Sequence, residues 1–572
     1  MTQNSGNLSI WARAANRAAA RRAAFARPAK GFVSQPEPRM IGHFGRGKQL
    51  IAGNFQFGGH LIEAPETGLW DIAVPDAAFA AEVQGFGWMD DLAAVGDADA
   101  RRHAQDWTWD WIARYGRGRG PGWTPDLTGR RMIRWIHHAL LLLQGRSRAQ
   151  SDAFYAALSA QTVFLSRRWQ TASPGLPRFE ALCGLIYSGL ALTGMEARMQ
   201  PAVQALARDC RSEVDSGGGI STRNPEELLE VFTLLTWAAQ ALGEAGQPVP
   251  QNHLAALERI APTLRALRHA DGGLARFHGG DRGLEGRLDM ALAASGVKAA
   301  QPHGFPMGFA RLSGGRSSVI VDVAAPPGGR AGLSAHASTL AFELTSGRRP
   351  VIVSCGSGAP FGADWNRVGR ATASHSTLSI AGFSSSRFGP GSAAGNVLEN
   401  RAEVMLAKPV HYPQSQGLQL AHAGWVRTHG LTHSRELVLS HDGRQLTGQD
   451  DLSAISAGDR SRLADMQGRA GAEGLTYALR FHLHPDVEAD VDMGGTAISL
   501  ILKSGEVWVL RHNPGPALSL EPSVYLEQGR LKPRASRQIV LSGRIASNDV
   551  QIGWTLAKAQ DTPLAIRDMG AD

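Results

Sequence analysis

From about Asp76 to Ala299 the apolar residues recur three and four apart. Met132, Ile136, Ala139, Leu140 and Leu143 fall on one stripe, as do Leu228, Val231, Phe232, Leu235, Ala239 and Leu242, and then Leu254, Leu257, Ala261, Leu264 and Leu267. This period predicts amphipathic helices, each with one face turned to a core. Loop chemistry separates them: Asp126-Leu127-Thr128-Gly129 before the first, Asn224-Pro225-Glu226-Glu227 before the second, and His269-Ala270-Asp271-Gly272-Gly273 after the third. Asn224 reads as an N-cap with Pro225 at the first helical position, and Glu226 and Glu227 follow where carboxylates complement the helix dipole. There is no fixed-period repeat. Successive helical hairpins suit a bundle or a helical toroid.

After about Gly304 the period becomes two. Ser318 to Val323, Leu340 to Leu344, Val351 to Val353, Glu436 to Leu439, Tyr477 to His482, Glu506 to Leu510 and Gln538 to Leu541 are short β-rich runs divided by Gly, Asp, Ser or Pro. Such spacing predicts an antiparallel sandwich rather than a βαβ sheet. The expected class is therefore α+β and multidomain. Residues 1–48 read as a basic, flexible segment, 49–300 as a helical domain, 304–560 as a β-sandwich and 561–572 as a tail, with the loop Arg276 to His303 as the boundary.

At 572 residues the chain exceeds what one core usually organises, and 43% apolar with 19% charged residues describes a folding sequence. Lys plus Arg number 59 and Asp plus Glu 51, a net charge of +8 that favours an acidic partner. No basic, aromatic-interleaved motif of the nucleic-acid readers is present, so nucleic acid is not the expected partner. Cys183, Cys210 and Cys355 are too scattered for a disulfide framework or a cysteine zinc site and read as buried thiols. No apolar run is long enough to span a membrane, and no apolar h-region precedes a cleavage site. The expected compartment is the cytoplasm, with the periplasm or cell envelope as the alternative. Arg13, Arg17 and Arg21 lie at i, i+4 and i+8, a cationic stripe suited to peripheral contact with anionic lipid.

No P-loop, dinucleotide fingerprint, nucleophile elbow or H-E-x-x-H motif appears in a credible context. The remaining chemistry is His, Arg and polar residues on the β half. His336, in Ser334-Ala335-His336-Ala337-Ser338, precedes a run in which Leu340, Phe342 and Leu344 share a face, and its ring joins that face if extended backbone begins there. Arg370, Thr372 and His375 form a second polar cluster. His482 and His484 alternate with apolar residues as a chelating pair would, although a metal needs further ligands. His429, His433 and Arg435 read as the polar face of a strand.

Several segments resemble the heparinase II/III family of polysaccharide lyases. On the β half these are LSAHASTLAFELTSGRRPVIVSCG, GRATASHSTLSI, LTHSRELVLSHDGRQLTGQDDL, YALRFHLHPDV and SRQIVLSG; on the α half, WTPDLTGRRMIRWIHHALLLL, RFEALCGLIYSGLALTG and GGGISTRNPEELLE. The resemblance implies an N-terminal (α/α) toroid, a C-terminal antiparallel β-sandwich, and β-elimination on a uronic-acid-containing poly- or oligosaccharide. That reaction needs a group to neutralise the uronate, a base for the C5 proton and an acid for the leaving oxygen.

Residue by residue the resemblance is incomplete. Where many members carry His-x-His-x-Asp, this chain has Ser334, His336 and Ser338. The position of His336 is a metal ligand in some members; their next ligand, an Asp, falls at Ser354, and their third, a His, at His375. The toroid's Asn or His falls near Arg178 to Glu180 and its Tyr near Glu227, and neither is present. The resemblance therefore implies Arg178, Glu227 and His336 as catalytic candidates, Arg223, Asn224, Arg370 and His375 as substrate-binding candidates, and His336 with His375 as candidate ligands for zinc or calcium, although no cofactor is required. Two readings stay open: a lyase with altered catalytic residues, or a lyase scaffold that binds acidic glycans without cleaving them.

Overall fold

The computed structural model describes residues 10–34, 37–40, 42–298, 302, 304–389 and 396–560. The expected tail at 561–572, His303 of the boundary loop and the first nine residues lie outside them. The chain forms two compact units: Met1–Gly218 with Leu229–Ala261 and Ala293–Val297, and Gly219–Leu228 with Pro262–Leu292 and Lys298–Asp572.

The first unit is built of helices around an aromatic core. Trp88, Trp111 and Trp135 are fully buried, and Phe86 contacts all three rings. The buried Arg131 stacks over Trp111 at 4.1 Å and donates to Gln161 Oε1 at 2.7 Å and to the Gln84 carbonyl at 3.0 Å. Without those acceptors an interior guanidinium would be expensive. The residues read as a loop, Asp126 to Gly129, are the first turns of a helix, Pro125–His137, because Pro125 opens it. Gly129 serves close packing there: a Cβ would lie 2.2 Å from the Glu180 carbonyl oxygen of the helix Leu176–Ala191. The stripe from Met132 to Leu143 is not one helix. It breaks at His138 (φ −104°, ψ 21°), whose Nε2 bonds the buried Asp90 carboxylate at 2.8 Å.

Part of the N-terminal segment, expected from its composition to be flexible, is helical. Residues Ile10–Ala23 form a helix whose Asn16, Ala20 and Ala23 are buried. Asn16 Oδ1 accepts from Arg168 Nε at 2.7 Å, at the end of the helix Arg148–Arg168. The alanines supply both helix propensity and a flat packing face.

The second unit is an antiparallel β-sandwich. One sheet runs Val404–Tyr412, Ser415–Trp425, Leu431–Ser440, Gln445–Ser453, Asp549–Gln560, Val507–His512, Ala497–Ile501, Glu488–Asp492. The other runs Ala517–Tyr525, Arg534–Arg544, Thr476–Leu483, Arg349–Val353, Phe342–Ser346, Ser317–Asp322, Phe309–Gly314. Their inner faces meet in one apolar core that includes Val319, Phe342, Leu437, Phe481, Trp508 and Leu556.

His433 and Arg435 are not on a solvent face. Both are buried in the sandwich, each 2.7 Å from Oδ1 of the buried Asp450, whose Oδ2 accepts from Trp554 Nε1 at 3.0 Å. Arg435 also donates to the carbonyls of Leu340 and Ser376, which lead into the other sheet, and so fastens the two layers. His429, also buried, closes a short helix, Val426–His429.

Candidate functional site

The segment Gly219–Leu228 delivers four polar residues to the second unit. Asn224 caps the helix Pro225–Glu244: its Oδ1 accepts from the backbone N–H of Glu226 at 3.0 Å and of Glu227 at 3.1 Å. The Glu226 carboxylate turns to the sandwich side, accepting from Asp281 N–H at 2.9 Å and Gln528 Nε2 at 3.3 Å. Glu227 is half-buried, and burial pushes its carboxyl up to about 7.

Arg223, at a positive φ of 52°, is a clamp. It donates to the carbonyls of Met307 (2.9 Å), Gly308 (2.7 Å) and Ala325 (2.8 Å), lies 4.7 Å over the Phe309 ring, and forms a 2.5 Å ion pair with Asp322. Asp322 is fully buried, and its Oδ2 accepts from Ser338 Oγ at 2.7 Å and faces His278 Nε2 at 3.4 Å. Burial opposes the carboxylate charge, but Arg223, His278 and Ser338 outweigh it and hold the carboxyl well below its usual range. His278, itself at φ 50°, accepts the His336 backbone N–H on Nδ1 at 3.2 Å, which places its own proton on Nε2, toward Asp322.

His336 and His375 are brought together. His336 Nδ1 lies 3.3 Å from His375 Nε2, and His375 Nδ1 lies 3.0 Å from Ser354 Oγ. Burial holds both imidazoles neutral, His336 well below its usual range and His375 down to about 3. His336 stands on a bent connection, not at the start of a strand: Leu340 has φ 65°, and the extended run begins at Phe342. This geometry takes the ring off the apolar face predicted for it. Arg370 holds that connection by donating to the carbonyls of Ala335 (2.8 Å), Gly332 (2.9 Å) and Asn396 (2.9 Å).

Arg178 belongs to the first unit, on the helix Leu176–Ala191; it donates to the Ala172 carbonyl at 3.0 Å and lies 3.9 Å from Asp209. His482 and His484 are satisfied separately. His482 bonds Ser523 Oγ at 2.8 Å and the Ala373 carbonyl at 2.9 Å, and His484 Nδ1 accepts the Asp486 N–H at 3.2 Å. Among the described residues no group of three or more His, Cys, Asp or Glu is placed to hold a metal. At the pair His336–His375 the third donor is a hydroxyl, a poor zinc ligand.

Sequence reasoning missed Arg276, His278, Asp281 and Asp322. The expected boundary loop is buried at its start: Arg276 bonds Asp281 Oδ1 at 3.0 Å, donates to the Leu526 carbonyl and lies 4.0 Å over the Tyr525 ring. The signals available were a histidine between Phe277 and Gly279-Gly280 and an aspartate closing the apolar run Ser318 to Val321.

The family model of the heparinase II/III-like C-terminal domain matches residues 298–555. Over 549 residues the chain is 31% identical to FtsZ-localized protein C of Caulobacter vibrioides, covering 93% of this chain and 91% of that one. This chain belongs to the heparinase II/III family. The crystal structure of heparinase III superposes with a TM-score of 0.66 at 11% identity, covering 95% of this chain and 89% of that one. A mutant of heparan sulfate lyase HepC from Pedobacter heparinus gives 0.57 at 14%, covering 98% and 90%. At these identities the likeness to the lyases is one of fold. The two histidines that the resemblance singled out, His336 and His375, lie at hydrogen-bonding distance, with Ser354 beside His375.

Proposed function

We propose that this chain is a binding protein on a polysaccharide-lyase scaffold, associated with FtsZ as the name of its Caulobacter relative says of that protein, and that it does not carry out β-elimination. The observation that carries this reading is the commitment of the retained polar groups. His336 and His375 bond each other, Arg223 and Arg370 are spent on backbone carbonyls, and Asn224 is a helix cap. A uronate carboxylate entering this cluster would displace structural bonds rather than meet a waiting cation. Identity of 31% across nearly the whole of both chains supports the link to FtsZ. Co-sedimentation with assembled FtsZ tests it: the chain should pellet with polymer and stay in the supernatant with unassembled FtsZ.

A second reading, an active lyase on an acidic poly- or oligosaccharide, is favoured by Glu227, whose carboxyl near 7 suits a general base or acid at neutral pH. The net charge of +8 supports an acidic glycan as ligand in either reading. Elimination leaves a C4=C5 double bond conjugated with the uronate carboxyl, so ultraviolet absorbance over a panel of uronate polymers separates the two. A flat trace is expected, and growth of the chromophore overturns the binding reading.

Among the described residues no helix is long and apolar enough to cross a membrane. The helix Ile10–Ala23 supports peripheral contact, since Ile10 and Trp11 are 79% and 85% exposed on the element that carries Arg13, Arg17 and Arg21. On this reading the chain works in the cytoplasm at a membrane surface. It should sediment with anionic vesicles and less with neutral ones, and Trp11→Ser with Arg17→Glu should abolish the difference.

A further inference from the structure

Among the described residues seven other than glycine have a positive φ, and four of them, Arg223 (52°), His278 (50°), Met307 (52°) and Leu340 (65°), meet around one carboxylate, that of Asp322. Left-handed backbone crowds the Cβ of an L-residue against its carbonyl oxygen and is uncommon outside glycine, asparagine and aspartate. None of the four is one of these, and all four are buried. They come from turns far apart in sequence, so no local motif explains them together. Asp322 does. It ends the strand Ser317–Asp322; its Oδ1 pairs with Arg223, and its Oδ2 accepts from Ser338 Oγ at 2.7 Å and faces His278 Nε2 at 3.4 Å. Its backbone carbonyl accepts the Leu340 N–H at 2.8 Å, and its N–H donates to the Ala341 carbonyl at 2.9 Å. Met307 is reached through Arg223, whose Nε donates to the Met307 carbonyl at 2.9 Å.

Conformations of this kind persist only where the surroundings over-determine them. Here the surroundings are chiefly polar. The Arg223 guanidinium also holds the carbonyls of Gly308 and Ala325, and a Cβ at Gly308 would lie 2.6 Å from the Ala324 Cβ and 2.8 Å from Arg223 Nε, so the turn at Met307 closes directly on the guanidinium. His278 is fixed between the Asp322 carboxylate and the His336 N–H, which its Nδ1 accepts at 3.2 Å. Ser338 ties the same carboxylate to the connection that bends at Leu340, where the Ala341 N–H returns to the Ser338 carbonyl at 2.8 Å. One charge thus restrains the turns on which His278, His336 and, through the 3.3 Å bond between the imidazoles, His375 depend. Bonds that share one acceptor are lost together, so these turns open as a unit rather than one by one.

We infer that Asp322 is the catch of a strained two-state device: its carboxylate holds the turns at Arg223, His278, Met307 and Leu340 in left-handed backbone, and when that hold is broken the four relax together and expose the His336–His375 pair. The inference is the same whether the chain eliminates or only binds. Glycine against alanine reads the strain. At an ordinary buried position alanine is the more stable, because glycine adds backbone entropy to the unfolded chain; at a left-handed position the order reverses. In the full chain Leu340→Gly should therefore unfold at higher urea than Leu340→Ala, and Met307→Gly above Met307→Ala, while in the Asp322→Asn background the order at both positions should return to alanine above glycine. Hydrogen exchange reads the coupling. In Asp322→Asn, residues 219–228, 276–281, 305–309 and 334–341 should exchange about tenfold or more faster, a larger rise than in residues 431–453, and diethyl pyrocarbonate should then modify His336 and His375 faster than in the parent. If Asp322→Asn does not fold, Ser338→Ala, which removes one bond from the carboxylate, takes its place. Alanine above glycine at either position in the parent, an order that the Asp322 or Ser338 variant leaves unchanged, or exchange that rises equally throughout the chain or not at all in the four segments would each overturn the assignment.

Discussion

His336 Nδ1 and His375 Nε2 lie 3.3 Å apart, so one neutral imidazole gives its single ring proton to the other. Burial, and not the bond itself, keeps both rings neutral at neutral pH. The pair is part of a packed hydrogen-bond chain running from Ser354 through His375 and His336 to His278 and Asp322.

Buried neutral histidines, His375 of that chain and His482 outside it, make stability depend on pH. In the unfolded state an imidazole protonates near pH ~6.5. Folded, His375 protonates only near 3 and His482 near 4. Between those values the unfolded chain binds more protons, so stability is lost as pH falls from neutral, by up to about 1.4 kcal/mol per pH unit for each such histidine. Thermal melts should show a midpoint that drops steadily from pH 7 to pH 4, with a shallower slope in His375→Asn. A midpoint unchanged between pH 7 and pH 5 would contradict the buried neutral pair.

Asp450 gives a sharper stability test. Its carboxylate meets His433, Arg435 and Trp554 inside the sandwich, and all four side chains are buried. Asp450→Ala strands the Arg435 guanidinium in the core and should cost about 3–5 kcal/mol in urea unfolding. Asp450→Ala with Arg435→Met should recover part of this, because the uncompensated charge goes with the arginine. A single-variant loss below about 1 kcal/mol would mean that water reaches the cluster.

The two architectures were legible because burial on one face imposes a period, as in Leu228 to Leu242 and in Ser318 to Val323. The Asn224 cap was legible because its bonds are local in sequence. Gly129 was misread as loop because glycine has low helix propensity, and only the helix packed against it, unseen in a linear pattern, explains its place. The site was the least legible part. Arg223 and Asp322 are 99 positions apart and His278 and Asp322 are 44, and no periodicity reports which buried charge a distant segment will meet. His336 was found as a residue, but its environment was not, since the bend at Leu340 depends on tertiary contacts.

Glu227 is predicted to be a destabilising charge at alkaline pH. Its carboxyl, pushed up to about 7 by burial against an unfolded value of ~4.3, binds a proton more readily folded than unfolded, so its contribution is lost as pH rises through 7. Glu227→Gln should melt higher than the parent at pH 8, by less at pH 5, and level with it only below pH ~4. A variant that melts lower at pH 8 would show instead that the charge at this third helical position outweighs its burial. If the ultraviolet assay reveals elimination, the same variant should lower kcat by about 100-fold or more.

Ser354→Asp tests whether a carboxylate turns the histidine pair into a metal site. Zinc sites in proteins are built from imidazole, thiolate and carboxylate donors, and His336 and His375 with a hydroxyl supply only two of these. Ser354 Oγ lies 3.0 Å from His375 Nδ1, the nitrogen on the opposite side of the ring from His336, so an aspartate there completes a site only if the His375 ring turns to let one nitrogen face both partners. The parent should hold no stoichiometric zinc after dialysis. Ser354→Asp should bind zinc at least about tenfold more tightly in competition with a chromophoric chelator, and added zinc should then raise its melting temperature by linkage. Placing His375→Ala in the same background should remove the gain, which distinguishes a site at the pair from metal picked up elsewhere on the surface. Stoichiometric zinc in the parent that His336→Ala releases would show that the imidazoles ligate metal in place of bonding each other, and the reading of Ser354 as a missing ligand would fall with it.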